Sequence, residues 1–172
     1  MKEVVVISGK GGTGKTTVVA SLAAMIKNKV VADCDVDAAN LYLLLHPEMD
    51  EMQEFWSGKK AIIDTDKCMQ CNLCQDTCRF DAIADYQVDP ITCEGCGLCH
   101  HICPTEAITM QDNLSGHLFT ANSQYGPMVF ARLGVAQGNS GKLVTAVKKQ
   151  AKLTAEQRGF DYILSDGPPG IG

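Results

Sequence analysis

The chain has 172 residues, 45% hydrophobic and 20% charged, which suffices for one globular domain with a small insertion and is too short for two full-sized enzymes. A mean hydropathy of −0.02 and no apolar run of about 18 residues argue against a transmembrane helix, and a formal charge of −5 argues against a basic nucleic-acid surface. Met1-Lys2-Glu3 runs straight into Val4 without the layout of a signal peptide, so a cytoplasmic location is expected, where nine cysteines stay reduced and metal ligation is their leading reading.

In chain order, Val4 to Ile7 is a β-branched run that suits a buried strand. Thr16 to Lys27 reads as a helix with Val19, Leu22, Ala23 and Ile26 on one face, and Val30 to Ala32 as a second strand. Pro47 to Lys60, with Pro47, Gly58 and several charges, reads as a linker. Eight of the nine cysteines then fall between Cys68 and Cys103. There the chain repeats at an offset of 25 residues: Cys68, Cys71, Leu73, Cys74, Cys78, Ala82 and Ile83 recur as Cys93, Cys96, Leu98, Cys99, Cys103, Ala107 and Ile108. Two units of this size cannot each bury a core, so they pack on each other or on a shared prosthetic group. Gln111-Asp112-Asn113 and Ser115-Gly116 supply turn residues, Leu118 to Ala121 and Met128 to Ala131 read as strands, Gly141 to Gln157 as a helix and Tyr162 to Ser165 as a last strand. Continuously apolar strands alternating with helices indicate a parallel sheet covered on both faces. The expected organisation is an α/β domain over residues 1–58 and 112–172, interrupted by a cysteine module over residues 59–111.

Gly9-Lys10-Gly11-Gly12-Thr13-Gly14-Lys15-Thr16 matches G-x-x-x-x-G-K-[ST] between a strand and a helical pattern. Glycines let successive backbone N–H groups turn inward around phosphate oxygens, and the helix N-terminus adds its positive dipole end. Lys15 is expected to reach the β/γ-phosphates of ATP, Thr16 to place its hydroxyl on Mg²⁺, and Thr17 to lie near the α-phosphate. The form with an early lysine resembles the deviant phosphate loop of the MinD/ParA/nitrogenase-iron-protein superfamily. That resemblance implies that Lys10 crosses a dimer interface to the partner's nucleotide. It also implies that Asp33-Cys34-Asp35 belongs to a first switch, with Asp35 positioning the attacking water and Asp33 assisting at the metal. Phe160 to Gly170 resembles a strand ending in the Walker B aspartate, Asp166, followed by a second switch whose Gly170 senses the γ-phosphate. Cys34, a lone strand-end cysteine, reads as a small packed residue.

Cys68-x2-Cys71-x2-Cys74-x3-Cys78 and Cys93-x2-Cys96-x2-Cys99-x3-Cys103-Pro104 resemble the bacterial ferredoxin pattern for two [4Fe-4S] clusters, in which each run's fourth cysteine serves the other cluster. The resemblance assigns Cys68, Cys71, Cys74 and Cys103 to one cluster, and Cys93, Cys96, Cys99 and Cys78 to the second. Zinc sites instead pair C-x2-C units across a longer spacer. Arg79 stands where the pattern has proline; its guanidinium either raises a cluster's potential or faces solvent. His100 and His101 either couple protons to electron transfer or fill the spacer at the surface.

The whole chain resembles MinD-superfamily P-loop ATPases with an inserted ferredoxin domain, among proteins labelled cobyrinic acid diamide synthase-like (CobQ/CbiA). The resemblance implies an incomplete, doubly wound, mostly parallel P-loop sheet interrupted by a small α+β ferredoxin-like domain. It implies an ATP-binding iron-sulfur protein, with two [4Fe-4S] clusters, ATP and Mg²⁺, whose ATPase is coupled to electron transfer. Alternatives are an Mrp-type cluster carrier and a redox-sensing partitioning or positioning ATPase. The expected partners are a second copy or related subunit in an ATP-dependent dimer, and a redox protein; neither nucleic acid nor an integral membrane segment is expected. Family members run on past the second switch, so a truncated chain with weak hydrolysis is the expectation.

Overall fold

The computed structural model describes residues 1–134 and 140–169, the last of these in its backbone only. The elements run β1 (Lys2–Ser8), α1 (Lys15–Met25), β2 (Lys29–Asp33), α2 (Leu41–Leu45), β3 (Glu48–Ile63), α3 (Leu73–Thr77), β4 (Ile83–Ala84), β5 (Gln87–Val88), α4 (Leu98–Ile102), β6 (Ile108–Ser123), β7 (Gly126–Leu133), α5 (Ser140–Arg158) and β8 (Tyr162–Pro169). Apart from the β4–β5 pair, the strands form one sheet in the order β1-β8-β2-β7-β6-β3. β1 with β8, β8 with β2 and β2 with β7 are parallel, and β6 with β7 is antiparallel, so the fold is mixed α/β on a mainly parallel sheet. The chain divides into two compact units, one built from Met1–Phe55, Gly116–Gly134 and the C-terminal segment, the other chiefly from Trp56–Ser115.

In the first unit the apolar run of β2 is split between two cores by the alternation of side chains along a strand. Val30 and Ala32 join Leu143, Val147, Ala151 and Ala155 of α5 on one face. Val31 joins Val19 and Ala23 of α1 and Leu41 and Leu45 of α2 on the other. A central strand buried on both faces leaves no polar position in its middle, which is why Val30, Val31 and Ala32 are all apolar between the buried charged ends Lys29 and Asp33. Each fully buried Val or Leu contributes about 1.5–3 kcal/mol.

Four expectations change. β1 is not buried: it is first in the sheet order, and Val4, Val5 and Ile7 are 42%, 42% and 73% exposed. The expected linker at 47–60 lies almost wholly inside the 16-residue strand β3, whose polar residues suit a strand at the edge of a sheet, held by backbone pairing rather than by burial. The expected turn at 111–116 lies inside β6. Gly116 is required there by close strand approach, since a Cβ would overlap the Arg132 carbonyl oxygen and sit 3.2 Å from the Leu133 Cα. Finally, α2 follows the aspartate-rich loop after β2, where no helix was expected.

In the second unit the internal repeat is a repeat of backbone conformation. Gln70 and Gly95 (φ 56° and 65°), Asn72 and Gly97 (62° and 79°), and Asp81 and Glu106 (52° each) all occupy the left-handed region at equivalent positions. Asn72 and Gly97 start the five-residue helices α3 and α4. The buried cluster is small, Ala61, Ala82, Cys93 and Ile108, with Ile63, Phe80, Val88, Met110 and four further cysteines packed against it. So few apolar side chains leave such a unit marginal by itself.

Candidate functional site

The sheet order brings three loop-forming strand ends together. β1, β8 and β2 are parallel neighbours; Val6 is in register with Asp166 and Asp166 with Asp33. The phosphate loop leaves β1 at this end, where ligands of open α/β sheets collect beyond the carboxyl ends of strands. Gly12 and Gly14 adopt left-handed φ of 75° and 83°. A Cβ on Gly9, Gly11, Gly12 or Gly14 would meet nothing within 4 Å, so the loop stands around open space. Gly14 caps α1 without a side-chain hydrogen bond, which leaves the first helical N–H groups for a ligand. The solvent-open cavity over the loop, about 1080 Å³, is lined by Ser8 and by Gly11, Gly12, Thr13, Gly14, Lys15, Thr16 and Thr17, with Asp35 opposite.

Lys15 is buried, and its ammonium donates to Asp166 Oδ1 and lies 3.9 Å from Asp35 Oδ2. Asp166 is fully buried, and its Oδ2 has no hydrogen-bond partner among the described residues. Asp33 is buried and does not line the cavity. Its Oδ1 accepts the Asp35 N–H at 3.1 Å and its Oδ2 the Leu41 N–H at 3.2 Å, so it ties the loop and the start of α2 to the strand end. Burial pushes the Asp33 carboxyl up to about 7, with Asp166 and Asp35 adding to the rise and the two N–H bonds opposing it. Burial also raises the Asp35 carboxyl, against the nearby Lys15 charge.

The structure thus gathers Lys15, Thr16, Thr17, Asp35 and Asp166, and gives Asp33 a bracing contact. Lys10 is exposed and does not line the cavity; its carbonyl accepts the Ser8 and Thr13 hydroxyls at 3.1 and 3.3 Å. Gly170 lies outside the described residues. Sequence reasoning missed Leu43 and Leu44, which line the cavity from α2 while 53% and 48% exposed. Their only signal was a Leu-Tyr-Leu-Leu-Leu run just after the aspartates.

All nine cysteines are free thiols. In the second unit, Cys68, Cys71, Cys74 and Cys103 line one cavity of about 330 Å³. Cys78, Cys93, Cys96 and Cys99, with Cys74, line another of about 450 Å³. Among the described residues no three of His, Cys, Asp or Glu converge closely enough to hold a single metal ion. Burial raises the Cys74 and Cys99 thiols. Burial also acts to raise Cys103, but hydrogen bonds from the Thr105 hydroxyl, 3.7 Å from the sulfur, and from backbone N–H groups of Thr105, Ala107 and Ile108 outweigh it and hold that thiol below its ordinary value. His100 Nδ1 lies 2.6 Å from the Ile108 carbonyl, and neither His100 nor His101 lines a cavity. Arg79 lines the larger cavity, with its guanidinium 4.8 Å above the Phe80 ring. Cys34 is 1% exposed within the first unit's core. No helix among the described residues is long and apolar enough to cross a membrane.

Residues 4–160 match the family model described as the CobQ/CobB/MinD/ParA nucleotide binding domain. The chain is 37% identical over 173 residues to the uncharacterized protein MJ0578 of Methanocaldococcus jannaschii; the match covers 99% of this chain and 60% of that protein, so the chain spans about three-fifths of that relative's length.

Proposed function

The chain belongs to the CobQ/CobB/MinD/ParA nucleotide-binding domain family, and from that premise we propose a Mg-ATP-hydrolysing protein that carries two [4Fe-4S] clusters and couples nucleotide state to electron transfer. The observation that carries the cluster assignment is the distribution of eight cysteines over two cavities. Each cavity is lined by three cysteines of one run and the fourth of the other, with Cys74 shared between the two, and this is the grouping that doubled C-x2-C-x2-C-x3-C spacing implies. Four thiols of one cluster's ligand set around each cavity fit a cuboidal cluster in ligand number and type, and such a cluster would supply reversible one-electron storage. At the nucleotide site the buried, unpartnered Oδ2 of Asp166 fits a divalent cation, with the Thr16 hydroxyl beside the phosphate loop as a second oxygen.

In the state described, Lys15 neutralises Asp166. On nucleotide binding its ammonium would turn to the β/γ-phosphate oxygens, and Asp166 with Thr16 would hold the magnesium ion, which would supply charge neutralisation to the phosphates. The open glycine loop and the N-terminus of α1 donate N–H bonds to the phosphates. Asp35, whose raised carboxyl favours taking up a proton, holds the attacking water; its oxygen attacks the γ-phosphorus, the bond to ADP breaks, and the proton passes to the carboxylate. Lys10, exposed on the loop, is free to reach the nucleotide of a second copy.

Anaerobic preparations should contain about eight iron and eight sulfide per chain, and stoichiometric zinc would overturn the assignment. Cluster reduction potentials measured with and without Mg-ATP test the coupling; identical values in protein that hydrolyses ATP would sink it. Exposure of Cys71 and Cys96 supports a second reading, cluster carriage to another protein. Stoichiometric transfer of iron and sulfide to an apo-acceptor would favour it over electron transfer. Between Trp56 and Ser115 there are four basic and nine acidic residues, so the whole formal charge of −5 resides there and suits a redox partner with a basic face.

A further inference from the structure

The two cysteine cavities differ in their charges. The cavity around Cys68, Cys71, Cys74 and Cys103 has no charged residue in its lining. The cavity around Cys78, Cys93, Cys96 and Cys99 is lined by Arg79 and Glu94. A second cation is fixed to its wall, because the half-buried Lys60 on β3 donates its ammonium hydrogen bond to the Cys93 carbonyl. The Arg79 guanidinium is held over Phe80, which packs into the unit's small core. Under the 25-residue repeat Arg79 corresponds to Pro104, so this charge has no counterpart at the other cavity. Arg79 and the nearby Lys60 thus stand against Glu94, with exposed Asp89 offsetting part of the Lys60 charge, whereas the other lining is neutral.

The hydrogen bonds onto Cys103 work the other way, since donors on a ligand sulfur also favour the added electron. They are dipoles, whose effect falls off faster with distance than that of a net charge; of the charges, half-buried Lys60 is screened less than exposed Arg79 and Glu94.

Resting on the cluster reading above, we propose that Lys60 and Arg79 are positioning residues that give the centre at Cys78, Cys93, Cys96 and Cys99 the higher reduction potential. An electron delivered to the protein then resides there. The test is a dithionite titration of iron-loaded protein at fixed mediator potentials, followed by electron paramagnetic resonance. Wild type should show two separate waves. Lys60→Gln and Arg79→Gln should each lower the higher wave, by roughly a tenfold change in its reduction equilibrium, or 59 mV for one electron. Glu94→Gln should raise that same wave, Cys96→Ser should disturb it, and Lys60→Arg should restore it. Lys67, which pairs with Asp64 at 3.5 Å and lines neither cavity, supplies Lys67→Gln as the neutral control. Coincident waves, or a wave that responds to Lys67→Gln as much as to Arg79→Gln, would overturn the inference while the cluster reading stands. Preparations that take up no iron would overturn both.

Discussion

Gly95→Ala should dislodge one cysteine loop while Gly97→Ala, two residues on, should not. Both glycines are left-handed, at φ 65° and 79°, so an alanine at either costs about 1–2 kcal/mol of backbone strain. Their surroundings differ. A methyl on Gly95 would overlap the Lys59 carbonyl oxygen and sit 3.0 Å from its carbon, and that neighbour is strand backbone, not a flexible side chain. A methyl on Gly97 meets only the His101 Nε2, at 4.0 Å. Forcing the overlap apart adds about 1–3 kcal/mol, the usual cost of overpacking, and moves Cys93 and Cys96 relative to β3. For a unit of this size each kcal/mol is about 4–8 °C in melting temperature. Gly95→Ala should therefore lose its visible iron-sulfur absorbance at a temperature about 4–24 °C below that of Gly97→Ala when both are heated anaerobically. Equal bleaching temperatures, or the reverse order, would refute the packing of this loop on β3 and with it the Lys60 contact to Cys93.

Removing Lys15 leaves Asp166 as a buried carboxylate without its partner, so Lys15→Ala should lose nucleotide binding and also destabilise the first unit by about 3–5 kcal/mol, read from urea midpoints with iron content as the check on the second unit. In metal-free protein, native Asp33 keeps its proton up to about pH 7 while the unfolded chain gives it up near 3.8. The native state thus holds more protons in that window, and stability should fall as pH rises from 4 to 7 and level off above, at no more than about 1.4 kcal/mol per unit. Asp33→Asn should flatten that slope in urea melts run in chelator. Burial pushes the Cys34 thiol up to about 12, so iodoacetamide should leave it unmodified in the folded protein and label it only after denaturation, as mass spectrometry of the peptide would show.

The phosphate loop was legible because everything it needs is contiguous: glycines for the turn, then Lys15 and Thr16 opening a helix. The grouping of the cysteines was legible for a related reason, since short fixed spacings and a repeat constrain local backbone, and the repeat did carry the same left-handed positions at 70 and 95, 72 and 97, and 81 and 106. β3 was not legible. Its stretch from Glu48 to Glu54 is charged and exposed, and pairing of backbone groups, which leaves no mark on side-chain pattern, makes it a strand. Gly116 carried a turn residue's identity for a different cause, the close approach of Arg132 and Leu133.

By itself the sequence determined the candidate residues: one glycine-rich loop with Lys15, eight cysteines in two runs, and aspartates at two strand ends. Tertiary structure decided which of them act on one another. Lys15 meets Asp166 from 151 residues away because β1 and β8 are parallel neighbours, while Asp33, at the end of the neighbouring β2, spends both oxygens on backbone N–H groups. The repeat makes Gln70 and Gly95 interchangeable in backbone conformation, and only the Lys59 carbonyl makes glycine obligatory at 95. Local motifs follow from bond rotations along a few residues; charge pairing and steric exclusion depend on which distant strand arrives alongside.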